Sequence, residues 1–156
     1  MKKAVVIFII ALVAVASAFA FEFKSVGIET GEGLYVSADM EIIKNLDVYG
    51  RIGANGHFSI SAGAQYFVYE FEVQNTKIDI RPGAQMNFSF GDNAFLFSLL
   101  ATCQFSFETG HFGAFLRPGL GFEVYSYSYS YGGEKYSDSD TDFVPAIETG
   151  VYYKFK

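Results

Sequence analysis

Arginine recurs inside a shared short phrase: Arg51-Ile52-Gly53-Ala54, Arg81-Pro82-Gly83-Ala84 and Arg117-Pro118-Gly119-Leu120. The guanidinium is permanently charged and presents a planar fork of donors, so it suits carboxylates or bound anions. The candidate acids on the same polar side of the local alternation are Asp39, Glu41, Glu123 and Glu148. Such a set either forms an ion-paired cluster that fills an enclosed space or makes an anion-attracting constriction. A charge taken out of water is costly unless paired and hydrogen-bonded. The ion-paired cluster is therefore the expected arrangement.

Other reactive residue types are sparse. His57 and His111 are the only histidines, and each flanks a turn signal. Nucleophilic catalysis needs a base beside a nucleophile and an acid that orients it, and neither histidine has such neighbours locally. Neither stands at metal-ligand spacing from the other or from Cys103. No catalytic residue, metal site or cofactor is expected, and an enzyme is disfavoured. Cys103 lies in an apolar row, as a small hydrophobe would, and a lone cysteine cannot form an internal disulfide.

The region from Tyr125 onward is different in kind. Tyr125-Ser126-Tyr127-Ser128-Tyr129-Ser130-Tyr131 alternates strictly, Gly132-Gly133 interrupts it, and Ser137-Asp138-Ser139-Asp140-Thr141-Asp142 follows. The aspartates have the spacing of a calcium loop, but Phe143 and Thr149 stand where that loop needs Gly and Glu. Tyr and Ser make contact surface at little entropic cost. Tyr127, Tyr129, Tyr131, Tyr136, Asp138 and Asp140 thus form a candidate exposed contact loop for a surface ligand of unknown kind. The plainer alternative is a solvated hairpin tip.

The elements that must position these residues are strands. Apolar residues alternate with polar ones at period 2 almost throughout, so successive side chains point to opposite faces. In one stretch Phe95, Phe97, Leu99, Ala101, Cys103, Phe105 and Phe107 form an entirely apolar face. In the stretch before it, Ile78, Ile80, Pro82, Ala84, Met86, Phe88 and Phe90 oppose Lys77, Asp79, Arg81, Gly83, Gln85, Asn87 and Ser89. Turn signals stand at Thr30-Gly31-Glu32-Gly33, Lys44-Asn45, Asn55-Gly56, Gln74-Asn75, Gly91-Asp92-Asn93 and Thr109-Gly110. Cutting there predicts eight strands, near 21–29, 34–43, 46–55, 57–73, 77–90, 94–108, 111–130 and 143–155. An even set of hairpin-linked strands can close into a barrel without edges. The prolines remove ladder donors and are expected at bulges or edge-like positions.

Alternation does not say which face is inside, but size does. Eight strands enclose little volume, and Phe or Leu at every inward position would overfill it. The Ser, Gly, Thr, Gln, Asn and Arg face suits the interior, which leaves the Phe/Leu/Ile face to meet lipid. Phe95 to Phe107 spans about 40 Å of strand, or roughly 28 Å of height at the usual tilt, close to a membrane barrel's apolar band.

The chain's start has the pattern of a leader. Lys2-Lys3 precedes an apolar run from Ala4 to Val15, and Ala16-Ser17-Ala18 and Ala18-Phe19-Ala20 are small-x-small patterns. Residues 1–20 are read as a signal peptide cleaved after Ala18 or Ala20, leaving 21–156 as one β-barrel domain. The formal charge of −6 becomes −8 without the two leader lysines, which argues against nucleic acid as a partner.

The last strand, Phe143 to Phe155, places Ile147, Val151, Tyr153 and Phe155 at alternate positions, with Lys156 following. It resembles the terminal strand of bacterial outer-membrane barrels, and the chain resembles the small OmpA/OmpX-like and opacity-like members of that group. The resemblance implies an outer-membrane location, contact with outer-membrane lipid, recognition of the last strand by the barrel assembly machinery, and a monomer. It also implies both chain ends in the periplasm and the last long connection outside. The expected role is structural or surface interaction, with a plugged lumen. The alternatives are a small pore, or a secreted lipocalin-like barrel around an apolar ligand.

Overall fold

The structure, a computed structural model, describes residues 23–54, 56–131 and 134–155, with the side chains of 129–131 and 134–135 excepted. The leader read over 1–20 and the terminal Lys156 lie outside the described residues. Nine antiparallel strands follow in order: β1 (Phe23–Thr30), β2 (Leu34–Ile43), β3 (Leu46–Ala54), β4 (Phe58–Tyr66), β5 (Tyr69–Val73), β6 (Thr76–Phe90), β7 (Ala94–Thr109), β8 (Phe112–Tyr131) and β9 (Glu134–Lys154). Among the described residues there is no helix.

The sheet closes on itself. β9 pairs with β1, and β4 pairs with β6, which makes a ring of eight strands. β5 is the continuation of β4, paired only with β6. Following paired residues around the ring takes Ile28 to Val36, Ile52, Ile60, Phe88, Phe97, Val124 and Thr141. The β9 residue that pairs with Ile28 is nevertheless Val151. Closure therefore staggers the ladder by the ten residues from Thr141 to Val151. Ten rises of about 3.3 Å against eight spacings of about 4.8 Å tilt the strands by roughly 40°, within the usual range for closed barrels.

Turn chemistry sets the hairpins. Gln74 and Asn75 both adopt positive φ (49° and 68°), as a type I′ turn requires. Asn45, Gly56 and Gly110 supply the left-handed residue at three other turns.

Two expectations about strand limits are corrected. The predicted strand 57–73 is broken at Phe67–Val68. Val68 donates to Ile80 O (3.1 Å) across that edge, so Pro82, two residues on, turns its donorless nitrogen toward the break. Pro118 acts likewise toward β7, where register lapses between Thr102↔Gly119 and Phe105↔Leu116. The last strand begins at Glu134 rather than near 143, and its ladder with β8 runs unbroken to Tyr131↔Glu134. The expected long loop is instead a two-stranded arm that prolongs the barrel wall.

The polarity of the body is inverted relative to a water-soluble core. Among the described residues only Tyr35, Tyr49, Leu100 and Phe115 are buried large apolar residues, whereas Arg51, Arg81, Arg117, Glu29, Asp47, Gln85 and many serines are buried. Exposed apolar residues cover the outer wall, including Val36 (60 %), Leu120 (54 %) and Ile147 (67 %). Four inward aromatics lie over paired glycines: Tyr35 with Gly53, Tyr49 with Gly63, Phe115 with Gly150 and Tyr152 with Gly113. A Cβ at Gly63 or Gly113 would run into the ring of its partner tyrosine. Glycine is thus what lets large rings lie flat inside so narrow a barrel.

Candidate functional site: the charged interior

The interior is built by strand parity. On β3, Asp47, Tyr49 and Arg51 share the inward face, and on β6 Asp79, Arg81 and Gln85 do so. β8 adds Phe115 and Arg117, β9 adds Glu148 and Tyr152, and β1 adds Ser25 and Glu29. These groups enter from five staves, so the cluster ties together strands that are not neighbours in the sheet.

One half of the cluster centres on Arg117, which is 2 % exposed. Its Nη1 donates to Glu29 Oε2 (3.1 Å) and Glu148 Oε2 (3.0 Å), while Nε and Nη2 donate to Gln104 Oε1 (2.9 and 2.6 Å). The guanidinium is held between two rings, 4.3 Å from the Tyr49 centroid and 4.5 Å from that of Phe115. Arg51 bridges the same two acids, at 3.2 Å to Glu29 and 2.5 Å to Glu148, and lies 4.4 Å over Tyr35. Gln85 completes the set: it donates to Glu148 Oε1 (2.9 Å) and accepts from Tyr49 Oη (2.7 Å).

The other half lies toward the chain ends. Arg81 pairs with Asp79 (2.6 Å) and with Asp47, which also accepts from Lys24 (2.7 Å). Glu108 accepts from Lys154 (2.6 Å) and from Tyr152 Oη (3.0 Å). A cavity of about 20 Å³ remains there, lined among others by Asp39, Asp47, Gln65, Arg81 and Lys154. That is room for about one water molecule, and Asp47 Oδ1 and Gln65 Oε1 beside it lack a protein partner.

The charges of these pairs cancel. Lys24, Arg51, Arg81, Arg117 and Lys154 meet Glu29, Asp47, Asp79, Glu108 and Glu148. Chemically, such a cluster fills space and locks staves together. Among the described residues no group of His, Cys, Asp and Glu is arranged to hold a metal ion.

The residues expected to meet here divide. Arg51, Arg117 and Glu148 are brought together, and Arg81 lies in the neighbouring cluster. Asp39 is inside the barrel but bonds Ser25 (2.5 Å), not an arginine. Glu41 is not in the cluster: the ladder slips between Glu41 and Ile43, and its carboxylate accepts the Asn45 N–H at an exposed turn (3.0 Å). Glu123 is not in it either; it sits near the rim opposite Asp142 and faces Glu32. Glu29, Asp47, Asp79 and Glu108 were missed as acids of the cluster. Parity held the signal for two of them, since Asp47 precedes Arg51 by four residues and Asp79 precedes Arg81 by two.

The expected contact loop lies on the arm. Tyr127, Tyr136, Asp138 and Asp140 are exposed there, and Tyr127 Oη donates to Asp138 Oδ2 (3.3 Å). The side chains of Tyr129 and Tyr131 lie outside the described residues. His57 and His111 are exposed, and His111 stacks on Tyr153 at 5.8 Å. No family model, curated protein or solved structure matches the chain.

Proposed function

We propose that the protein is an outer-membrane β-barrel whose interior is a sealed, ion-paired plug and whose role is structural, anchoring a surface-exposed arm. The observation that carries this reading is the inverted polarity of the closed ring. Exposed Ile, Leu, Val and Phe would make a water-soluble body aggregate, whereas hydrocarbon is the solvent in which they are favourable. The dimensions agree. Phe143 to Tyr153 on the outer side of β9, ten rises at roughly 40° of tilt, covers about 25 Å of height, the usual apolar band of such barrels. Pro145 lies within it.

A plug rather than a pore is favoured by the cancelled charges and by side chains that fill the middle. Selective pores leave unbalanced rings along an aqueous path. Tight barrels of eight strands rarely have one.

Expression in a bacterium with two membranes tests the reading. The protein should enter the outer-membrane fraction, need detergent for extraction, and migrate faster unheated than boiled. Recovery as a detergent-free soluble protein would overturn the location. In planar bilayers the folded barrel should show no steady conductance, and stable single-channel steps would overturn the plug.

A further inference from the structure

The stagger of the ring leaves β9 with an uncovered edge. β1 pairs with β9 only from Ser25↔Lys154 to Thr30↔Thr149, yet β9 runs on to Glu134. On β9 the Lys154 N–H donates toward β8, to His111 O, and the Phe155 N–H donates toward β1, to Lys24 O. Alternation then sends the peptide groups of odd residues to the β1 side. Above Ile147 that side has no partner strand among the described residues. At Pro145, within the apolar band, the residue type removes the donor that lipid could not satisfy.

Higher up, the edge is guarded. The Ser139 N–H donates to Asp138 Oδ1 (2.9 Å), and the Thr141 N–H donates to Asp140 Oδ1 (2.8 Å). Asp138, Asp140 and Asp142 share one face of the ribbon, continuous with the inner wall, and Ser137, Ser139 and Thr141 share the other. A second copy added to this edge would set aspartate against aspartate, which is unfavourable across a strand pair. A strand with cations at alternate positions would meet the opposite situation: it would draw the carboxylates off the backbone and release the N–H groups beneath.

We infer that the β9 edge over Ser137–Phe143 takes up an extended, cationic polypeptide segment as an added strand. The inference rests on the outer-membrane reading and names the partner class of its exposed arm. Backbone hydrogen bonds supply the affinity, and the three aspartates select against acidic segments and against self-pairing.

The test uses the full-length protein folded into phosphatidylcholine vesicles, with its heat-dependent gel shift recorded on the same samples. The probe is a synthetic twelve-residue peptide alternating lysine with threonine. Two controls are the same peptide with alternate backbone nitrogens methylated, and one alternating glutamate with threonine. The lysine peptide should bind, and both controls should bind at least about tenfold more weakly, the scale of three cross-strand charge pairs. The triple variant Asp138→Asn, Asp140→Asn, Asp142→Asn keeps an acceptor for each N–H and removes only charge. It should lose binding by a similar factor while keeping the gel shift. Equal binding of the methylated peptide would reduce the surface to plain electrostatics and overturn strand addition. No binding by a protein that shows the shift would sink this inference alone, whereas absence of the shift would sink the membrane reading with it.

Discussion

The two halves of the β8–β9 ribbon share one ladder and one register but have opposite chemistry. In the lower half, Phe112 to Val124 against Thr141 to Tyr153, the outer face is Phe, Leu, Pro and Val, and the inner face buries Phe115, Arg117 and Glu148. In the upper half, the outer face is Ser126, Ser128, Ser137 and Ser139, and the inner face carries exposed tyrosines and aspartates. Period 2 makes both halves strand. Composition decides which solvent each half is built for, and the change occurs within about two residues of Val124↔Thr141. Backbone pairing and environment are thus separate messages in this sequence.

The largest way to break the comparison is in the plug. Arg117→Met leaves Glu29 and Glu148 with Arg51 alone, so unfolding in urea from vesicles should become easier by about 3–5 kcal/mol. A loss near zero would mean that the lower half does not depend on its ion pairs. Next comes the outer wall. Leu120→Arg should cost about 2–4 kcal/mol if that face meets acyl chains. Ser128→Arg, at the same outward parity in the upper half, should stay within about 0.5 kcal/mol; equal costs would erase the distinction between the halves. Gly113→Val, which pushes into the Tyr152 ring, should cost about 1–3 kcal/mol by overpacking. The smallest effect sharpens the boundary. Replacing Ser128–Ser137 by Asn-Gly joins the hydrogen-bonded pair Tyr127 and Asp138 through a two-residue turn and should leave assembly and the gel shift unchanged.

Much of the fold was legible because each strand is amphipathic along its length. The alternation of β6 and β7 and the turn signals at Asn45, Asn75 and Gly110 mark the hairpins directly. On the β8 side of the arm the Tyr-Ser alternation reads as strand to 130, whereas Ser, Asp and Gly over 131–142 are turn formers and hide the start of β9. Of the interior, the arginines were legible as a repeated phrase. Their partners were less so, because register, not sequence, decides which acid reaches which arginine. Glu148 faces Arg117 across a direct pair, whereas Glu29 reaches both arginines from a stave far away in sequence. Glu41 has the right parity and pairs with Asp47, but it stands beside the exposed turn, where its carboxylate accepts the Asn45 N–H.

The claim beneath all of this is that the apolar wall meets hydrocarbon, and the single native cysteine reports on it. Cys103 points outward near the middle of β7, opposite Pro82, and is partly exposed. Labelled with a small polarity-sensitive fluorophore in urea and then folded into vesicles, it should be quenched by lipids brominated deep in the acyl chain and protected from aqueous iodide. Strong quenching by iodide with none by brominated lipid would place that wall in water and contradict the account.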